Sequence, residues 1–297
     1  MNTRFIAPAP LAPGKRIEVI APASPFDAEA LARGVERLRA RYDVHHAPDI
    51  LDRAGHFAGS DERRATEVVR AIEDDAVHAI VAARGGYGAT RILDRIAPEL
   101  VARHPKLLVG FSDVTALHAV WARAGVRSLH ATMAAMLGNV TEPLFDRWVR
   151  TVEGALPEPA RGLEAIAGGR ARGPFLGGNL AVLTALLGTP HALPLDGAIL
   201  FLEDTDERPY RVDRMLTTWR HAGALVRVAG IALGTFTRCD AGADGVSVAQ
   251  VLAERLGDLG VPVVAGVPAG HVDDNRELPL GSIATLDGDA ATLVFEG

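Results

Sequence analysis

Cysteine occurs once in these 297 residues, at Cys239, and lysine only twice, at Lys15 and Lys106. A lone cysteine cannot close an internal disulfide, which fits a reducing compartment. The remaining basic residues are arginine, a choice that reads as genomic base composition. Against 37 acidic residues the 31 basic ones leave a net charge of −6, which excludes the uncompensated basic surface that nucleic-acid binders present. No apolar run approaches the roughly 18 residues of a membrane-spanning helix. Phe5–Pro13 is broken by proline too often to form the apolar core of a signal peptide. The expected location is the cytoplasm, with no nucleic acid and no membrane as partner. The H-E-x-x-H, C-x-x-C, EF-hand, G-x-G-x-x-G and P-loop spacings are missing, so no metal and no cofactor is expected.

What is present is an aliphatic α/β pattern. Hydrophobic residues make up 48%, aromatics only 5%, so aliphatic side chains must supply most of the core. The length fits two domains sharing a cleft, or a single α/β domain. Short apolar runs at Arg16–Ile20, Ala76–Ala83 and Lys106–Gly110 alternate with helical spacing over Glu29–Arg41 and Asp61–Glu73, the form of a parallel sheet covered by helices. Ser60 is the expected cap of the second helix. Proline and glycine break the pattern over Thr151–Arg161, read as a linker at 153–160. Beyond it come the Gly-rich segment Gly173–Asn179, a helix from Leu180, a strand at Ala198–Leu202 and a helix from about Tyr210 to Gly223. A strand at Val261–Val267 and a hairpin of Ser282–Leu286 with Ala291–Phe295 complete the chain.

Strand ends in an open parallel sheet collect ligands, and two of them carry candidate chemistry. Ser112, in Gly110-Phe-Ser-Asp-Val114, follows an apolar strand and precedes the helical pattern Val114–Ala124, the position of a nucleophile elbow. Read alone, the segment fits a Ser or Asp helix cap equally well. Gly85 and Gly86, in Arg84-Gly-Gly-Tyr-Gly88, permit close backbone approach to a reacting oxygen, or simply a tight turn. Glu203 ends an apolar strand and is followed by Asp204, Asp206 and Glu207, a cluster that without a histidine partner reads as a solvated loop. His271 sits in a polar loop after Gly270. His45, His46, His118 and His130 read as surface or core residues, and Cys239 as a small buried one.

Together, Arg84–Gly88, Gly110–Thr115, Gly177–Leu180, Glu203-Asp204 with Pro209-Tyr210 and Asp213-Arg214, and Gly270-His271 with Leu278-Pro279 resemble the LD-carboxypeptidase family across nearly the whole chain. The resemblance implies a flavodoxin-like N-terminal domain (1–152) and a smaller β-rich α/β C-terminal domain (161–297), with the active site between them. It implies a catalytic triad of Ser112, His271 and Glu203, and an oxyanion hole of the Gly86 and Asp113 amides. It implies a homodimer that releases terminal D-Ala from a small peptide substrate, the muramoyl tetrapeptide of cell-wall recycling. Gly85, Asn179, Glu207 and Arg208 are candidate substrate contacts. Alternative activities are a microcin-immunity amidase, an α/β-hydrolase esterase and a non-catalytic muropeptide sensor. The family often has His-Gly-Pro after the nucleophile helix where this chain has His130-Ala131-Thr132, a departure for which the resemblance leaves the form of the local pocket open.

Overall fold

The computed structural model describes residues 5–296, so the extreme ends of the two expected domain ranges, 1–4 and 297, lie outside the described residues. The chain forms two compact units, Phe5–Ala155 with Glu277–Pro279, and Leu156–Arg276 with Leu280 onward. The first runs β1 (Arg16–Ile20), α1 (Ala28–Arg39), β2 (Asp43–His46), α2 (Asp61–Glu73), β3 (Val77–Ala82), α3 (Pro98–Arg103), β4 (Leu107–Gly110), α4 (Thr115–Arg123), β5 (Ser128–His130), α5 (Ala134–Leu137) and α6 (Glu142–Val152). The second holds β6 (Glu164–Ala167), β7 (Arg170–Asn179), α7 (Leu180–Leu186), β8 (Ile199–Thr205), α8 (Pro209–His221), β9 (Gly230–Thr237), α9 (Val248–Leu256) and β10 (Val263–Ala265). Three strands close the chain: β11 (Leu278–Leu280), β12 (Ile283–Asp287) and β13 (Thr292–Phe295).

One sheet has the order β11-β5-β4-β3-β1-β2, and the pairings of β1 with β2 and β3, β3 with β4, and β4 with β5 are parallel. Its central strands are buried on both faces: Ile17, Val19, Ile20, Ala79, Ile80, Val81, Leu108 and Val109 are all fully buried. Double-faced burial is why these strands read as continuous apolar runs rather than alternating ones. The helices carry their own start signals. Asp27 caps α1 by accepting from the Ala30 N–H at 2.7 Å, and Ser60 caps α2 by accepting from the Arg63 N–H at 3.1 Å, as expected for Ser60. Asp61 and Glu62 in the first turn of α2 oppose the positive end of the helix dipole.

The second sheet has the order β13-β12-β7-β8-β9-β10-β6. Its β7-β8-β9-β10 centre is parallel, and its margins, β12 with β7 and β13 and β10 with β6, are antiparallel. The Gly-rich segment at 173–179 lies within a ten-residue strand, β7, and runs to its end. A Cβ at Gly177 would stand 1.9 Å from the Phe201 carbonyl oxygen, so here glycine marks close strand approach rather than a turn. No described helix is long and apolar enough to cross a membrane.

Helix α1 lies against α5 so closely that a Cβ on Gly34 would come within 1.8 Å of the Ala134 carbonyl oxygen. Gly34→Ala raises helix propensity by about 1 kcal/mol, yet backbone cannot turn aside as a side chain can. Overpacking of this kind costs about 1–3 kcal/mol, and the net expectation is destabilisation, read as a lower urea midpoint. An unchanged or higher midpoint would refute the close packing.

Candidate active site

Strand β4 stops at Gly110, and two residues later the backbone turns sharply. Ser112 has φ +63°, in the left-handed region that costs a non-glycine residue about 1–2 kcal/mol. A 3-10 turn over Ser112–Val114 then leads directly into α4, giving the strand–turn–helix geometry that projects a serine hydroxyl from the end of a sheet. Gly110 is required below the turn, where a Cβ would lie 2.8 Å from Val114 Cγ1. Under β4, the fully enclosed His118 bridges Ser128 Oγ at 2.8 Å and the Gly110 carbonyl at 2.9 Å. A carbonyl only accepts, so Nε2 carries the proton and Nδ1 accepts from the serine. Burial pushes the His118 pKa down to about 4, with the Gly110 carbonyl opposing, and the ring is neutral at physiological pH.

The parallel sheet sets the loop after β3 beside this turn. A Cβ on Gly85 would approach Ser112 Cβ to 3.0 Å and Oγ to 3.1 Å, so the glycine keeps the hydroxyl unobstructed. Gly86 has φ +104° and packs on Ser24, whose Oγ would stand 2.5 Å from a Cβ there. That Oγ also accepts the Tyr87 N–H at 3.1 Å. The Asp113 amide precedes the first bond of its turn, and among the described residues neither it nor the Gly86 amide is spent on a backbone carbonyl. The Asp113 side chain is buried and accepts the Ala89 N–H at 2.8 Å. Burial raises its pKa to about 6, and the Ala89 N–H and Arg64 pull the other way.

In the second unit, Glu203 stands within β8 as a fully buried residue, and its Oε2 meets His271 Nδ1 at 2.8 Å. A carboxylate facing Nδ1 holds the proton on that nitrogen and leaves the Nε2 lone pair to act as a base. The loop bearing the imidazole is fixed from both sides. Thr237 Oγ1 donates to the His271 carbonyl at 2.9 Å, and the Gly270 N–H donates to Asn275 Oδ1 at 2.9 Å. Gly270, at φ +125°, permits the contact, because a Cβ there would lie 3.0 Å from Glu203 Oε2.

The expected substrate contacts are distributed unevenly. Gly85 adjoins Ser112, whereas Asn179 is buried, capping α7 through the Val182 N–H and donating to Asp204 Oδ1 at 2.9 Å. Glu207 Oε2 lies 3.6 Å from Arg211 Nη1, and Arg208 is exposed at the cap of α8. The acidic cluster after Glu203 is not one solvated loop. Asp206 is exposed and pairs with Arg238 at 2.7 Å, while Asp204 is buried, accepting also from the Ala181 and Thr205 N–H groups. Burial raises the Asp204 pKa to about 6, with the Thr205 N–H opposing. Strand β8 continues to Thr205, which carries Glu203 and Asp204 into the sheet and leaves Asp206 and Glu207 beyond it; the sequence offered no apolar run to signal it. Cys239 is buried, as expected, and burial pushes its thiol up to about 11.

Residues 17–131 match the model for the LD-carboxypeptidase N-terminal domain, and residues 172–286 the model for the LD-carboxypeptidase C-terminal domain. A Synechocystis sp. protein provisionally named a carboxypeptidase is 40% identical over 98% of this chain and 97% of its own. The murein tetrapeptide carboxypeptidase of Pseudomonas aeruginosa is 30% identical over 92% of this chain and 94% of its own. The crystal structure of muramoyltetrapeptide carboxypeptidase from Oxalobacter formigenes is similar with a TM-score of 0.83, at 29% identity, covering 94% of this chain and 97% of that one.

Two stability measurements follow from the serine turn. Ser112→Gly is expected to be about 1 kcal/mol more stable than Ser112→Ala, because glycine alone relieves the left-handed backbone; the reverse order in urea unfolding would refute the strain. For His118, the folded pKa of about 4 lies below the ordinary 6.5, so the unfolded chain binds the extra proton between those values. Its contribution is present above pH 6.5 and is lost as pH falls toward 4, a change of about 3 kcal/mol. His118→Gln removes that term, so from pH 7 to pH 4 the wild type should lose about 3 kcal/mol more than the variant; parallel pH profiles would contradict the burial.

Proposed function

Because the chain belongs to the LD-carboxypeptidase family, we propose that it is a serine carboxypeptidase that hydrolyses the L,D-amide bond releasing terminal D-Ala from muramoyl tetrapeptides. The observation that carries this reading is Ser112, held at φ +63° between a buried strand and a helix with Gly85 against its hydroxyl. A strained turn at a serine, bordered by amides that among the described residues donate to no backbone carbonyl, suits a nucleophile attacking a carbonyl.

In this reading His271 Nε2 removes the Ser112 proton as Oγ attacks the amide carbon. Glu203 Oε2, already 2.8 Å from Nδ1, stabilises the imidazolium that forms. The Gly86 and Asp113 amides stabilise the tetrahedral oxyanion. His271 then returns the proton to the departing D-Ala amine, and water, deprotonated by the same imidazole, hydrolyses the acyl-enzyme. A role in cytoplasmic recycling of wall fragments and a homodimeric enzyme extend the proposal, and both rest on the family resemblance.

The test is incubation of the purified protein with a muramoyl tetrapeptide and identification of the products by mass. Release of D-Ala is expected, with turnover falling by at least about 10³-fold in Ser112→Ala and by orders of magnitude in Glu203→Gln, both still folded. An intact tetrapeptide would remove this substrate. Cleavage of a peptidyl nucleotide in a parallel reaction would direct the same residues to a different amide, and hydrolysis of simple esters alone would identify an esterase.

A further inference from the structure

Arg64 is an arginine with no exposed surface, and the reading above gives it no role. It lies on α2, yet its guanidinium reaches the loops leaving β1 and β3. Nη1 donates to the Pro22 carbonyl at 2.6 Å and to the Gly88 carbonyl at 2.8 Å. Nη2 donates to Asp61, whose carboxylate also holds Arg91, and the guanidinium carbon lies 4.8 Å from the centre of the Phe57 ring. A Cβ on Gly88 would come within 2.6 Å of Nη1, so the loop rests directly on the cation.

One nitrogen therefore sets the spacing between two loops. Pro22 is two residues before Ser24, and Gly88 is two residues after Gly86; Ser24 and Gly86 are themselves in contact. The next residue, Ala89, donates its N–H to the Asp113 carboxylate at 2.8 Å, and Asp113 feels the Arg64 charge. The loop carrying Gly85 and Gly86 is thus tied at one end to Arg64 and, through Ala89, to the residue after Ser112. Burying a cation costs several kcal/mol, and an apolar side chain of similar volume is often no less stable, so stability alone is a weak reason for arginine here. We propose that Arg64 is a positioning residue that holds the Gly86 and Asp113 amides where a tetrahedral oxyanion forms, and so acts on turnover rather than on substrate affinity.

This inference rests on the serine-hydrolase reading, and its test separates the two. Arg64→Lys keeps the charge, but a single ammonium cannot reproduce the planar fork. Lys106→Met is the control: Lys106 is also buried and bridges two carbonyls, Asp74 at 2.8 Å and Val77 at 2.7 Å, but at the entry of β3 rather than its exit. With the muramoyl tetrapeptide, R64K is expected to lower kcat by about 10–100-fold with KM within about threefold, a partial version of the 10²–10³-fold loss on removing an oxyanion donor. K106M should lower the unfolding midpoint and leave kcat unchanged. Equal kcat in R64K and K106M would overturn the proposal while leaving the hydrolase reading standing. If the wild type releases no D-Ala, the substrate reading fails and hydrogen exchange decides: R64K should speed amide exchange across Gly85–Ala89 by at least about tenfold, with K106M like the wild type. Unchanged exchange there in R64K would overturn the positioning role.

Discussion

Parallel pairing of β1, β3 and β4 is the constraint on which the first unit's chemistry depends. Strands that run the same way leave the sheet at the same edge, so Ser24, Gly85 and Ser112, far apart in the chain, become neighbours without any side chain having to attract another. The edge is then refined by sterics. Glycine stands where a Cβ would strike Ser112 or Ser24, and a left-handed serine stands where a smoother turn would point the hydroxyl elsewhere. The local strain is tolerated because the flanking strand and helix are buried and leave the turn no alternative path.

The second unit meets a different demand, that of a carboxylate in a sheet. Glu203 is fully buried, and a charge so placed needs a well-directed partner. The His271 imidazole provides it from a loop fixed by Thr237 and Asn275. Asp204, one residue on, points to the other face of the strand and is answered by the amides of Ala181 and Thr205 and by Asn179. Two adjacent acids on one strand thus divide into an imidazole holder and a helix-end anchor, because successive side chains in a strand point to opposite faces. Asn179, a candidate ligand contact by sequence, is part of that anchor, capping α7 and donating to Asp204.

Legibility from the sequence followed the strength of local patterns. The apolar strands β1, β3 and β4 and the helix α2 with its Ser60 cap were readable because their burial and capping are written in adjacent residues. Strand β2, reading Asp-Val-His-His, lies at a sheet edge with mostly exposed side chains, and β5 has only three residues; neither carries an apolar run. Strand β9 contains two glycines, which the residues alone do not distinguish from a turn. Gly88 looked like part of a turn, and its contact with Arg64 was invisible because the two residues meet through tertiary folding from a helix and a loop.

What the sequence determined by itself was the α/β class, the serine after one apolar strand, the glycine pair after another, and the acid and histidine at the ends of apolar segments, since each is a local relation among neighbours. Only the tertiary structure decided that Glu203 and His271, 68 residues apart, share a hydrogen bond, that Asp204 is an anchor rather than a surface charge, and that a buried arginine from α2 spans two loops. Those are relations between side chains brought together by sheet order and helix packing, and no spacing along the chain encodes them.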